Sequence, residues 1–570
     1  MRKISIRLMP VATLTFCAFA AAQDFERIAP KPVVPPGRVA PEGPRPVPRD
    51  TAVRLKELKG IVFLRDPRTV KPEGIDGVSG LDVTQIPELQ TEAFRARMGK
   101  FLGKPVSFAS VEDLTREVVA YFTDNDRPFV VVTSPEQDIT GGVLQLVVVE
   151  GKLGELRISG AKIFDENIYR NAIGLKPGDS ISKRKLDADI DWLNRNPFRD
   201  TSVSLLPGKS LGTTDIRLRT QERPPLRLYA GFEDTGTAVT DKRRVQFGVN
   251  WGNVFGLDHQ LNYQFSASPN IDTFRAHSAT YIVPLPWRHL LTVFGAYAEI
   301  QGIVPAPFAL QGRSQQIGLR YEIPLQRMGS YTHSIIGGLD YKKTNNNLEF
   351  GFAVVNATSA EVVQGLLSYQ ANMSDTSGIT SFTANLYYSP GGITGKNKDI
   401  NFLALRALSN SRYTYGNLQL NRITRLPSEF SWHLSAHLQL ADGNLLGSEQ
   451  LGAGGYASVR GYDERQANGD QGFLLRNELR TPSINLGRPL PGKEAQLQLL
   501  AFLDYGVVRN KRLLVGEDPN VELFSTGLGA RFSVGQNVTI RFDHGWQLKD
   551  IGVPVGPRSS RAHFSLLVSY

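Results

Sequence analysis

From about Leu226 to Tyr570 apolar and polar residues alternate one by one, with turn-forming residues between the runs. Val245, Phe247, Val249 and Trp251 alternate with Arg244, Gln246, Gly248 and Asn250; Leu261, Tyr263, Phe265 and Ala267 alternate with Gln260, Asn262, Gln264 and Ser266. A period of two sends the apolar set to one face of a strand and the polar set to the other. Beyond residue 22 no apolar run reaches 18 residues, so the sequence holds no helical membrane span there. The mean hydropathy of −0.21 reads as that of a soluble protein. A transmembrane barrel, however, conceals its lipid-facing residues within the alternation, and the average does not register them. At roughly 22 residues per strand and connection, the final stretch accommodates about sixteen strands, an even number as such barrels require.

One segment interrupts the alternation. Ser448–Gly472 is too long for a hairpin turn, carries six glycines, and has Val459, Arg460, Gly461 and Tyr462 at its centre. Before it, Trp432, Leu434, Ala436, Leu438 and Leu440 alternate with His433, Ser435, His437 and Gln439; after it, Phe473, Leu475 and Leu479 alternate with Leu474, Arg476, Glu478 and Arg480. Strands that are apolar outside and charged inside suit a barrel with a wet lumen. A glycine-rich loop between two of them has room to fold back into that lumen. Downstream, Leu497, Leu499, Ala501, Leu503 and Tyr505 form one face, while Gln496, Gln498, Phe502, Asp504 and Gly506 form the other. Asp504 thus lies on the polar side, within reach of an infolded Arg460 and able to form a bidentate pair with it; from the loop alone, a solvent-exposed Arg460 on a mobile loop is the equal alternative.

The loop and the Phe502-x-Asp504-x-Gly506 pattern together resemble the signature of two-partner secretion transporters, the haemolysin secretion/activation (ShlB/FhaC/HecB-type) family of the outer-membrane insertase superfamily. The resemblance implies a sixteen-strand antiparallel β-barrel and assigns Asp504 as the lumen-facing partner of the loop arginine. It also implies that Phe564, Leu566, Val568 and Tyr570, alternating to a terminal aromatic, are the signal read by the barrel-assembly machinery.

Ahead of the barrel, residues 1–22 have the form of a secretory signal: Arg2, Lys3 and Arg7, an apolar run from Leu8 to Ala20, then small residues, with cleavage expected near Ala22. The single cysteine, Cys17, falls inside it, and Phe16 before it does not fit a lipoprotein cleavage box; the mature chain is therefore expected to lack disulfides and thiolate metal sites. Residues 23–55 are a proline-rich, extended linker. Relatives in the resembled family carry a plug helix before such a linker, and only Asp24–Ala29 is left for one here.

Residues 56–152 read as β-α-α-β-β, with strands at Gly60–Arg65, Pro128–Thr133 and Val143–Glu150 and helices at Gln90–Leu102 and Val111–Asn125. Residues 153–222 repeat the order: a strand at Glu155–Ser159, helices at Glu166–Ile173 and Ile181–Asn194, and a hairpin from Thr201–Leu206 to Thr214–Arg219. Two consecutive units of one topology are an internal repeat. The pair resembles two polypeptide-transport-associated (POTRA) domains, and Asn194, Asn196, Pro197 and Arg199, followed by Pro207 and Gly208, match the family's second-domain signature. The expected fold class is two α+β POTRA domains followed by a transmembrane antiparallel β-barrel, residues 223–570, with an infolded loop at 443–472.

Other motifs carry no chemistry in this setting. Gly208–Gly212 matches G-x-S-x-G, but a nucleophile elbow needs strand–turn–helix, and here the chain makes a hairpin. Asp234-Thr235-Gly236 lacks the second copy that an acid-protease carboxylate pair requires. Gly391–Lys396 is too short for a P-loop and lacks the following Ser or Thr. His433 and His437 sit more than about 10 Å apart on a strand, too far for one metal. No enzyme, cofactor or metal is expected. A net charge of +10 without a polybasic run does not point to nucleic acid. The expected function is an outer-membrane pore whose periplasmic POTRA domains receive one large unfolded exoprotein of haemolysin, haemagglutinin or adhesin type. The expected partners are that exoprotein, the assembly machinery and outer-membrane lipid. A barrel-insertion factor of the same superfamily and a passive porin or uptake channel are the alternatives.

Overall fold

A computed structural model describes residues 50–210, 212–303, 308–350, 353–489, 491–551 and 560–570. The secretory signal and nearly all of the linker lie outside these residues. The chain divides into two units, one ending at Arg223 and the other running from Pro224 to Tyr570.

The first unit holds two α+β domains. In the first domain, β1 (Gly60–Leu64), β2 (Gly80–Asp82), β3 (Val130–Thr133) and β4 (Val143–Glu150) form a sheet in the order β2-β1-β4-β3. Helices α1 (Glu92–Gly99) and α2 (Phe108–Asp124) cover one face. Leu114, Val118, Tyr121 and Phe122 recur at helical spacing on α2 and are buried against Ile61, Phe63, Leu144 and Leu146. Ser107 and Ser110 cap α2 reciprocally, each hydroxyl accepting the other's backbone N–H. The strand β2 was not expected: three residues are too few to show a period.

The second domain repeats the plan with β5 (Lys152–Ser159), α3 (Glu166–Ala172), α4 (Lys183–Leu193), β6 (Arg199–Pro207) and β7 (Thr213–Glu222). In both domains the last strand lies in the interior of the sheet, parallel to the first and antiparallel to its hairpin partner. The G-x-S-x-G motif falls between the antiparallel strands β6 and β7, not between a strand and a helix, and the Gly208 N–H donates to the Thr213 carbonyl at 2.9 Å. The domains join at Asp126, whose φ of 65° is left-handed. Its carboxylate accepts from Ser182, the cap of α4, and from the backbone N–H of Arg184 at 2.8 Å. Burial pushes the Asp126 carboxyl up, but these hydrogen bonds and the Arg184 guanidinium outweigh it and hold the group below the ordinary carboxylate range.

The second unit is a closed antiparallel barrel of sixteen strands. They are β8 (Leu226–Glu233), β9 (Arg244–Val254), β10 (His259–Ala267), β11 (Phe274–Pro284), β12 (Leu290–Gly302), β13 (Phe308–Pro324), β14 (Tyr331–Phe350), β15 (Ala353–Ser374), β16 (Gly378–Pro390), β17 (Arg412–Arg425), β18 (Ser431–Ala441), β21 (Gln471–Arg480), β23 (Ala495–Arg509), β24 (Val521–Val534), β25 (Val538–Gln547) and β26 (Ser560–Ser569). β19 (Leu451–Ala453) and β20 (Ala467–Gly469) pair with each other inside the loop, and the two-residue β22 (Ile484–Asn485) lies along β23. The barrel closes where β26 meets β8, from Ser565 opposite Glu233 to Ser569 opposite Tyr229. Phe247, Leu339, Leu367, Leu440, Leu528 and Val568 stand exposed on the outer wall, whereas Gln246, Asn250, Gln364, Gln439, Glu478 and Asp543 are buried within. This is the inversion that lipid demands of a barrel.

Two features exceed the expectation. Strands β13–β15 run to 17, 20 and 22 residues, well beyond one membrane crossing of about 10. Pairing of β16 with β15 stops at Gly365, and above it a short helix, α5 (Asp399–Leu405), covers the exposed β15 edge. Asn397 Nδ2 donates to the Glu361 carbonyl at 2.8 Å, and Phe402 is buried against Ala360, Val362, Tyr413, Leu445 and Leu446. A long bare strand edge invites foreign pairing, and α5 removes it.

Candidate functional site

The loop between Ala441 and Gln471 lies inside the barrel, and its central residues are sealed from solvent: Val459, Arg460 and Tyr462 are each 0% exposed. Arg460 Nε lies 2.7 Å from Asp504 Oδ2 and Nη2 lies 2.9 Å from Oδ1, a bidentate pair completed by the Arg460 backbone N–H at 3.2 Å. Its remaining nitrogen, Nη1, is 2.7 Å from Glu478 Oε1 and 3.5 Å from Asp543 Oδ1. The guanidinium lies flat on Phe502, 3.6 Å from the ring centroid. One face of the planar cation is thus met by an aromatic quadrupole and its rim by carboxylates, an arrangement lysine does not reproduce. Arg476 and Arg480 share Glu478, and Arg531 pairs with Asp543 at 2.9 Å, so the three acids are all compensated.

Glycines make room for this packing. Gly461 has φ of 91° and stacks on Gly545 of β25; a Cβ on Gly545 would lie 2.6 Å from the Gly461 nitrogen. A Cβ on Gly506 would lie 2.8 Å from Val459, so this third member of the Phe502-Asp504-Gly506 pattern is a seat for the loop. Phe502 itself needs Gly527, where a Cβ would fall 2.3 Å from the ring. The Gly461 N–H donates to His563 Nε2 at 3.3 Å, and its carbonyl accepts from Gln547 at 2.6 Å. Tyr462 Oη lies 3.0 Å from the Phe524 carbonyl and accepts the Phe524 N–H at 3.2 Å, tying the loop to β24.

Three further anchors had not been singled out. Glu449 is held by Lys342 Nζ at 2.8 and 3.0 Å, by Tyr415 Oη at 2.8 Å and by Gln364 at 3.1 Å, on the wall built by β14, β15 and β17. Asp463 bridges Lys242 at 2.7 Å and Arg561 at 2.6 Å, and so spans the β8–β26 closure. Asp470 accepts from Arg406, from Leu445 N–H at 2.9 Å and from Lys511 N–H at 2.9 Å. The only sequence signal for these acids is their place in a loop that interrupts a barrel; the partners named are 25 to 221 residues away in the chain.

The second-domain signature lies in the other unit and forms its own corner. Asn194 Nδ2 donates to the Thr201 carbonyl at 2.8 Å and its Oδ1 accepts the Thr201 N–H at 2.6 Å. Asn196 Oδ1 accepts the N–H of Phe198, which follows Pro197, at 3.0 Å. Arg199 is buried, donates to the Leu193 carbonyl at 2.7 Å and stacks near Phe164 and Tyr169. Pro207 ends β6, and the Gly208 N–H bonds to Thr213 across the turn. At the chain end, Phe564 and Val568 face outward on β26, Leu566 sits opposite Phe232, and the Tyr570 N–H donates to Leu228 at 2.9 Å.

Family models of known proteins match both units of the chain. Residues 212–532 match the model of the haemolysin secretion/activation protein family ShlB/FhaC/HecB, residues 77–151 match the ShlB-type POTRA domain, and residues 152–223 match the POTRA model described as a surface antigen variable number repeat. The outer membrane transporter CdiB-2 of Burkholderia pseudomallei is 24% identical over 80% of this chain and 76% of its own. The hemolysin transporter protein ShlB of Serratia marcescens is 26% identical over 74% and 75%. The heme/hemopexin transporter protein HuxB of Haemophilus influenzae is 21% identical over 78% and 79%. Among solved structures, CdiB from Escherichia coli superposes with a TM-score of 0.72 at 18% identity over 97% of this chain and 95% of that one. With its family model spanning more than half of its length, the chain belongs to the ShlB/FhaC/HecB haemolysin secretion/activation family, outer-membrane transporters of two-partner secretion.

Proposed function

We propose that this transporter carries one large exoprotein, unfolded, from the periplasm through the barrel to the cell surface. The observation that supports it best is a loop occupying the bore and pinned there by several separate charged contacts, beside one apolar cluster in which Leu451, Val459, Tyr462 and Ala467 meet Leu474, Val508 and Leu523 of the wall. Arg460, Glu449 and Asp463 each meet the wall through charged groups, and Asp470 pairs with Arg406 of the β16–β17 connection. The charged contacts exchange one by one for water or for a passing chain, and only the apolar cluster has to be broken as a whole. The exported segment adds as a strand to a free edge of a POTRA sheet, where backbone bonds give affinity with little demand on sequence. Folding of the cargo outside the cell makes the movement directional. The last strand, with Phe564, Leu566, Val568 and Tyr570, is read by the assembly machinery during biogenesis, and the apolar outer wall contacts lipid. The test is deletion of the gene followed by comparison of the culture supernatant and the outer-membrane fraction. Loss of a single large secreted protein with the other barrels intact is expected; a general depletion of outer-membrane proteins would instead identify an insertion factor.

A further inference from the structure

The two POTRA domains share a topology but differ on the sheet face that their helices leave open. In the first domain that face is sealed by the domain's own chain: Val62, Leu64, Val143 and Val147 are buried beneath Val70, Ile75 and Val78. In the second domain no described segment of the domain builds such a layer. The register places Arg157 of β5, Arg217 of β7 and Ser204 of β6 in one row, and Ser159, Arg219 and Ser202 in the next. The residues alternating with these, Ile158, Ile216, Leu218 and Val203, pack into the helix-covered core, so the arginine rows lie on the open face.

The charge arrangement of this face is not one that stability explains. Arg157 and Arg217 stand directly opposite each other, and like charges in that position are unfavourable. Arg157 is relieved by Asp215 at 3.0 Å and Glu155 at 3.1 Å. Neither Arg217 nor Arg219 forms an ion pair or a side-chain hydrogen bond among the described residues. Around them the side chains are short: Ser159, Ser202 and Ser204 turn their hydroxyls onto backbone carbonyls of β7. Two guanidinium groups therefore rise unpartnered from the middle strand, two residues apart, above a floor of serines; of the acids in the flanking rows, Asp215 beside Arg217 is engaged by Arg157, and Asp200 stands opposite Gln221 beside Arg219.

We propose that this face receives a carboxylate-rich, extended stretch of the exported chain, with acidic side chains at alternate positions meeting Arg217 and Arg219. Residues i and i+2 of an extended segment project to one side about 6.6 Å apart, the same interval that separates the two arginines on β7. Each guanidinium offers a carboxylate a bidentate fork. Contacts of this kind on an open face are weak singly and screened by salt, which suits a site that must release its cargo toward the pore. The proposal rests on the export reading above and narrows it: the second domain selects by charge.

The test uses the full-length protein in detergent micelles and fluorescein-labelled peptides of alternating Asp and Thr or alternating Lys and Thr. The Asp–Thr peptide is expected to bind, to weaken as salt is raised, and to lose about fivefold to tenfold in affinity when Arg217→Ser and Arg219→Ser are combined. The pair Arg217→Lys and Arg219→Lys, which keeps the charge and the fold, is expected to retain part of the binding. Equal binding of the Asp–Thr peptide by the wild-type and serine variants overturns the proposal, as does equal binding of the Lys–Thr peptide. Arginine-dependent binding of phosphatidylglycerol vesicles without peptide binding overturns it in favour of a lipid headgroup. In cells, deletion of residues 50–223 tests the export reading separately. Secretion lost on deletion but normal in the serine variant removes the platform alone, whereas secretion surviving the deletion removes the export reading itself.

Discussion

Removing the Arg460 side chain is the sharpest perturbation of the loop. Arg460→Ala deletes three short hydrogen bonds, two to Asp504 and one to Glu478, and the stack on Phe502. Glu478 keeps Arg476 and Arg480, but Asp504 is left as a fully buried carboxylate with no side-chain cation. Breaking a buried pair from one side costs about 3–5 kcal/mol. At about 1.4 kcal/mol per tenfold, the docked state of the loop loses two to three and a half orders of magnitude in population. Asp504→Asn keeps the shape of the acceptor and leaves Arg460 with Glu478 and Asp543, so it costs less, about 1–3 kcal/mol. The double variant Arg460→Ala with Asp504→Ala leaves no orphaned charge, and its cost falls below the sum of the single alanine variants. Two readouts report on docking: trypsin cleavage after Arg465 in proteoliposomes and the open fraction of single channels in planar bilayers. Both are expected to rise in the order wild type, Asp504→Asn, Arg460→Ala. Single alanine variants that add within about 0.5 kcal/mol, or an Arg460→Ala loop as resistant to trypsin as the wild type, would refute the pinning argument.

Four further outcomes follow from the same contacts. Gly545→Ala, which sets a methyl 2.6 Å from the Gly461 nitrogen, is expected to undock the loop without altering barrel assembly, read as trypsin sensitivity with unchanged heat-modifiable mobility on gels. Tyr462→Phe strands the Phe524 N–H and should weaken docking by about 1–2 kcal/mol, measurable in the same cleavage assay. Arg199→Met removes a buried guanidinium from between Phe164 and Tyr169 and from the Leu193 carbonyl; a loss of about 2 kcal/mol in the second POTRA domain is expected by denaturant titration followed by Trp192 fluorescence. The joint at Asp126 has a defined pH dependence: its folded carboxyl titrates below the ordinary value, so its contribution is present above about pH 3.9 and is lost as pH falls through the lower folded value. Hydrogen exchange across α4 should therefore be faster in Asp126→Asn than in wild type at pH 7, with the difference vanishing at strongly acid pH.

Local patterns that repeat were readable from the residues alone. The alternation in β9, β10 and β25 put the apolar side chains on the outer wall, because a period of two leaves no freedom in which side chain faces which way once one face is assigned to lipid. The helices α2 and α4 were readable for the corresponding reason at period 3.6, though their ends shifted by a few residues where caps at Ser107 and Ser182 decide the start. Two pieces were not: β2 spans three residues, too few to express a period, and α5, as short as the expected α3, lies in the midst of a strand pattern, where it covers the β15 edge above Gly365.

The same division holds at the site. The alternation around Asp504 assigns its side of the strand, and the glycines around Arg460 permit the loop to turn inward; both are properties of a residue and its neighbours. Which groups meet across the bore is a property of the closed cylinder. Glu449 finds Lys342, Asp463 finds Lys242 and Arg561, and Asp470 finds Arg406 only because strand order and register bring remote positions to one height. The unsealed, arginine-bearing face of the second POTRA domain is likewise invisible until pairing aligns β5, β6 and β7. Periodicity is encoded residue by residue, whereas partnership depends on the distance between segments, and that distance exists only after the chain has closed.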